Sequence, residues 1–207
     1  QWPPKEPTPL KLYLRSGGGA NSLYDDGRLA TAAPTAAEPA DRFTYDPLNP
    51  VQTIGGGDCC NGGLVTPGAY DQRVIEARQD VLVYTSDPLD KPVDVAGWIK
   101  PVLFVSSDAR DTDFAVKVVD VAPDGTAYII ADTILRARYR EGMGREVMMK
   151  PGQTYRLELT PMSTGARFGK GHRIRVEVTS SDFPKFARNL NTGGDNVSET
   201  RAVIARN

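Results

Sequence analysis

The chain has 207 residues, a net charge of −1 and a pI near 5.9, which gives no electrostatic footprint for nucleic acid. No apolar run approaches the roughly 18 residues of a membrane span. Two cysteines are too few for a disulfide scaffold, and 20 Gly with 16 Pro indicate many turns without indicating disorder.

The N-terminus, QWPPKEPTPLKLYL, lacks a basic region ahead of an apolar one, so it is not a signal peptide. It begins with Gln rather than Met, which points to a chain that is processed or, in the favoured reading, cut from a longer protein. That leaves the compartment open, with the cytoplasm favoured. KLYLRS (11–16) reads as a short strand. A long stretch to residue 80 is loop-rich, with only brief strands. Within it, LATAAPTAAEPAD (29–41) resembles a linker and is expected to be an extended arm packed on the body.

GGGDCCNGG (55–63) places both cysteines side by side among glycines. Adjacent cysteines cannot easily share a tetrahedral ion, because structural zinc sites space them by two to four residues. A disulfide between neighbours forces a strained ring. The reading that remains is a glycine-hinged loop carrying two small, unbonded thiols toward a neighbour.

Strand signals dominate from residue 81 onward. VLVYTS (81–86) is a short strand, and DVAGWIKPVLFVSS (94–107) reads as one longer strand in which Pro101 marks an edge or a bulge. FAVKVVDV, APDG and TAYIIADT form a hairpin: Pro presets φ and Gly accepts positive φ in the turn. ILRARYREGMG (134–144) is irregular or one short turn. Its Arg136, Arg138 and Arg140 fall at strand spacing, as on a solvated or interface face. QTYRLELT (153–160) and HRIRVEVTS (172–180) both alternate, with FGKGH read as the turn between them. Ile174, Val176 and Val178 share the buried face of the second; Arg173, Arg175 and Glu177 share a face expected to be wet. Strands this close together with no helices between them predict an all-β antiparallel sandwich or jelly roll. It would be one domain over 1–207, with a loop-rich third (1–80) and a sandwich core (81–207).

Catalytic residues are not evident. There is no G-x-S-x-G elbow. The single histidine, His172, has the parity of Ile174 and reads as structural, at the core or the sandwich rim. Asp108, Asp111, Asp113, Asp120 and Asp124 could ligate calcium but read better as turn formers. No metal and no cofactor is expected.

An ordered set of motifs is more specific: YDPLNPVQTIGG, DQR, DVLVYTS, DTDF, DVAPDG, LRARYR, GHRIR and SSDFPKFARNLNTG. Together they resemble the C-terminal domain shared by Xaa-Pro dipeptidyl-peptidases, cocaine esterase and α-amino acid ester hydrolases, from about Trp2 to the end. The resemblance implies a galactose-binding-like jelly roll beside an α/β-hydrolase domain that would precede residue 1. The serine-hydrolase triad would lie there, so none of it maps onto this chain. By that analogy Gly56, Gly57, Asp58, Cys59, Cys60 and Asn61 would help to wall the substrate pocket. The implied partners are the hydrolase domain and a small ester, amide or peptide at the cleft, with a homo-oligomer contact conceivable and no nucleic acid or membrane. The family's domain also usually has a further strand after the position of Asn207. The competing reading is a carbohydrate-binding module using Tyr70, Trp98, Tyr128 and Tyr139.

Overall fold

The computed structural model describes residues 8–58, 63–195 and 197–207. Twelve strands follow in chain order: β1 (Tyr13–Arg15), β2 (Arg28–Ala30), β3 (Thr44–Tyr45), β4 (Leu82–Thr85), β5 (Val93–Ile99), β6 (Val102–Val105), β7 (Asp113–Val121), β8 (Ala127–Arg136), β9 (Tyr155–Glu158), β10 (Met162–Phe168), β11 (Arg173–Thr179) and β12 (Ala205–Arg206). A four-residue helix, α1 (Arg73–Glu76), precedes β4, and a 3-10 turn (Ala137–Tyr139) follows β8.

The alternation of β11 explains the main layer. Ile174 and Val178 join Phe114, Val116 and Val118 of β7 and Leu82 and Tyr84 of β4 in one apolar core. These strands form a six-stranded sheet in the order β1-β2-β4-β11-β7-β8. All its pairings are antiparallel except β2 with β4, which meet at Arg28 and Thr85. The opposite wall comes from strand pairs β5–β10, β6–β9 and β3–β12, which supply Leu103, Leu157, Met162, Phe168 and Tyr45 to the same core. The result is an antiparallel jelly-roll β-sandwich whose sheets are not closed. Burying Phe114, Leu157 and Phe168 stabilises it by about 1.5–3 kcal/mol each.

The β7–β8 hairpin turns as its sequence predicts. Ala122 N–H donates to Thr126 O, Gly125 sits at φ +88°, and Asp124 accepts from the Thr126 N–H.

Four expectations need correction. Residues 94–107 are not one strand: the chain breaks at Lys100–Pro101, so β5 pairs with β10 and β6 with β9. Proline has no N–H for a ladder, while its carbonyl still accepts from Leu159 N–H. FGKGH joins β11 to β10, not to β9. β10 (MSTGARF) carries too little apolar alternation to be read as a strand from its own sequence. The arm at 31–40 is exposed along its length, tethered by Glu38 to Arg15 and by Asp41 to Ser16, Ala20 and Tyr84. Finally, the second face of β11 is not wet: Arg175, Glu177 and Thr179 are buried. Val51, Ile75, Val81 and Val83, with α1 and the segment after β11, cover that face.

Candidate functional site

The root of the glycine loop, from Gly56 and Gly68 to Gln72, lies beside the outer edge of β8. Its base is closed by a two-way backbone bridge, Gly56 N–H to Gly68 O at 2.8 Å and Gly68 N–H to Gly56 O at 3.0 Å. Beyond it the chain runs beside β8, with Ile129 N–H donating to Tyr70 O and Gln72 N–H to Ala127 O. The side chain of Gln72 staples both ends of the loop, its Nε2 donating to Ile54 O (2.8 Å) and Tyr70 O (2.9 Å). The ion pair Lys185–Asp132 (2.6 Å) lies under Gly56. Of the proposed wall residues, Gly56 and Asp58 are half-buried and Gly57 is exposed. Cys59, Cys60 and Asn61, and the expectation that the two thiols are unbonded, lie outside the described residues. On the return side Leu64 is 71% exposed.

Gly55 controls this base. Its φ is +69°, and a Cβ there would sit 2.4 Å from the Gly68 carbonyl oxygen. Gly55→Ala is expected to cost about 2 kcal/mol in strain and displacement. It should open the bridge, so that the Gly56 and Gly68 amides exchange at least tenfold faster. Gly57 has open space where its Cβ would be, so Gly57→Ala should leave both amides protected.

Beside Gln72 and α1 the sheet face holds a buried ionic group. Lys117 Nζ (β7) lies 3.0 Å from Asp182 Oδ1 and reaches Gln72 Oε1 at 3.5 Å. Arg175 (β11) donates to Glu76 Oε2 at 2.6 Å and to Thr85 Oγ1 at 2.8 Å. Glu177 lies among them, fully buried, and burial pushes its carboxyl well above the ordinary range. Sequence reasoning missed this group. The available signal was Lys117 itself, a lone charge inside the apolar run FAVKVVDV.

A second buried group gathers three of the quoted motifs. Arg138 donates from its backbone N–H (2.9 Å) and Nε (2.7 Å) to Asp111, and from Nη2 to Gly194 O. Asn189 Nδ2 bridges Asp111 (2.8 Å) and Asp113 (2.7 Å), and Arg136 pairs with Asp113 at 3.0 Å. Burial pushes the Asp113 carboxyl up, opposed by Arg136 and Asn189. DTDF, LRARYR and RNLNTG therefore meet in the interior. Arg136 and Arg138 are not a solvated face. Arg140 bonds the carbonyls of Ala137 and Val147 and stacks on Tyr155.

The other candidates are dispersed. Asp108 pairs its backbone and side chain with Arg206 of β12, and Asp124 caps its own turn. His172 sits at the rim, its Nδ1 2.9 Å from Asp120. Among the described residues no group of three His, Cys, Asp or Glu could hold a metal ion. Trp98 lies on β5 and Tyr128 on β8, in different sheets, so these aromatics form no single row.

The fold is a jelly-roll sandwich with its charge clusters turned inward. The chain belongs to the X-Pro dipeptidyl-peptidase C-terminal non-catalytic domain family, which it matches over residues 1–207. It is 42% identical over 193 residues to cocaine esterase of Rhodococcus sp. (strain MB1 Bresler), covering 93% of this chain and 33% of that protein. Among solved structures, an α-amino acid ester hydrolase superposes with a TM-score of 0.79 at 26% identity, covering 94% of this chain and 33% of the other. An aminopeptidase from a marine sediment archaeon, Thaumarchaeota archaeon, gives 0.80 at 28% identity, covering 100% and 35%. The chain thus spans about a third of the length of each of these relatives. None of the three is a carbohydrate-binding module, and that reading gains no support from them.

Proposed function

We propose that this domain packs on a preceding α/β-hydrolase domain of its parent protein and that the loop from Gly56 to Asn61 forms part of the substrate-pocket wall. The parent would be a serine hydrolase that cleaves small esters, amides or peptides through an acyl-enzyme. The observation that carries this reading is the share of length: the chain corresponds to one third of relatives that are esterases and an aminopeptidase by name. The geometry supports it. The loop base is closed by a backbone bridge and stapled by Gln72, which with Tyr70 ties it to β8, while Gly57 and Leu64 are exposed. A wall element needs such a rigid root, because small misplacements near a reacting centre cost up to 10²-fold in rate.

The test is made in two parts. The isolated chain should not turn over p-nitrophenyl acetate, whereas the chain joined to its upstream gene segment should. In the joined protein, replacing residues 57–63 by a short Gly-Ser link should lower kcat/KM by about 10- to 100-fold and change the preference between ester substrates. Ester hydrolysis by the isolated chain, or an unchanged substrate preference after loop replacement, would overturn the proposal.

A further inference from the structure

The ionic group beside Gln72 and α1 does not balance with every carboxyl ionised. It holds two cations, Lys117 and Arg175, and three carboxyls, Glu76, Glu177 and Asp182. Each cation has claimed one acid: Lys117 takes Asp182 at 3.0 Å, and Arg175 takes Glu76 Oε2 at 2.6 Å. Glu177 has no cation within ion-pair distance among the described residues and is 0% exposed. Among the described residues no group donates a hydrogen bond to either of its oxygens or to Glu76 Oε1, the carboxyl that faces it. An ionised carboxylate enclosed in that way is strongly unfavourable, whereas a protonated one brings its own donor.

We propose that Glu177 is a neutral carboxylic acid in the folded chain and that its O–H donates to Glu76 Oε1. One proton then balances the charge and joins two of the three orphaned oxygens, leaving the second Glu177 oxygen without a partner among the described residues. The group becomes two cations against two anions, and an orphaned acceptor gains a donor. The groups that face Glu177 are Lys117 from β7, Arg175 from β11, Asp182 from the segment after β11, and Glu76 from α1, with Gln72 at the α1 N-cap. Arg78 and Asp80 pair with each other at 2.7 Å. Because α1 carries Glu76 and Gln72 holds both ends of the glycine loop, the shared proton also fastens the loop's root to the sheet.

The linkage has a definite sign. A carboxyl whose folded pKa is raised leaves the native state with more bound protons than the unfolded state. Stability is therefore fullest below the ordinary Glu value near 4.5 and falls as pH rises toward the raised value. Asp113 is pushed up by burial as well and adds a decline of the same sign. The readout is therefore a difference between two chains. Relative to Glu177→Gln, which keeps the shape and a donor, the unfolding equilibrium constant of the parent chain should rise by up to about tenfold per pH unit from about pH 5 toward pH 8. Carboxyl-carbon NMR of the unmodified chain needs no variant: one Glu carboxyl should still show its protonated shift at about pH 7. Parallel pH profiles for the two chains would overturn the proposal. So would a spectrum in which every Glu carboxyl has ionised below about pH 6.

Discussion

Asp111→Ala should lower the stability of the chain by about 3–5 kcal/mol, the penalty for leaving one member of a buried ion pair without its partner. Asp111 is fully buried and accepts three bonds, two from Arg138 and one from Asn189. Truncating it strands the Arg138 guanidinium, which is nearly as buried. That cation keeps Gly194 O, with Glu146 more distant at 3.6 Å. It also removes the acceptor for a backbone N–H at the 3-10 turn, where β8 ends. For a domain of this size the loss corresponds to roughly a 10 °C fall in Tm, read by calorimetry or by the urea midpoint. Asp111→Asn keeps an oxygen for the backbone N–H but loses the charge, so it should fall between the two. A midpoint for Asp111→Ala within about 0.5 kcal/mol of the parent, the range of an ordinary surface change, would show that the network carries no such load.

This network also shows where sequence reasoning reaches and where it stops. The order of DTDF, LRARYR and RNLNTG was legible and specific, but their meeting point was not. Asp111, Arg138 and Asn189 are separated by 27 and 78 positions from Asp111 onward, and strand periodicity says nothing about which loops converge. The period-2 pattern of β11 correctly placed Ile174, Val176 and Val178 toward the core. It misjudged Arg175 and Glu177, because a polar residue opposite an apolar one looks the same whether water or a second layer covers it. Two of the covering residues, Val51 and Ile75, come from the loop-rich part, whose elements are too short to announce themselves. Pro101 was recognised as a disturbance, but the choice between a bulge and a break depends on the partners of each half, and those are β10 and β9. The root of the candidate loop was legible in part. The glycines of GGGDCCNGG signalled a hinge, and the structure shows that Gly55 needs positive φ. The staple, Gln72, was legible only as a member of the DQR motif, since an amide there has many ordinary roles.

Lys117→Met is the second large expected effect, again about 3–5 kcal/mol, and its pH dependence distinguishes it from a simple packing loss. The Lys117 side chain is 1% exposed and that of Asp182 2%, so removing the ammonium leaves a buried carboxylate without its cation. Asp182 escapes that state by taking up a proton, so in the variant its pKa is raised. The sign then follows: the variant's stability is fullest below the ordinary Asp value near 3.9 and declines as pH rises. The gap between parent and variant should therefore widen from about pH 4 to about pH 7 in urea titrations. A cavity alone would give a gap independent of pH. Lys117→Met combined with Asp182→Leu should recover more than half of the loss, because replacing both members of a buried pair by apolar groups of similar size is often near neutral. Such recovery would mean that the pair adds little net stability over an apolar core. The effect of the pair would then be positional. Lys117 reaches Gln72 Oε1, and Gln72 Nε2 holds Ile54 O and Tyr70 O. In the double variant the fold should therefore return while the Gly56 and Gly68 amides at the loop root still exchange faster than in the parent. Full protection of those amides would detach the loop root from the ionic group beside Gln72.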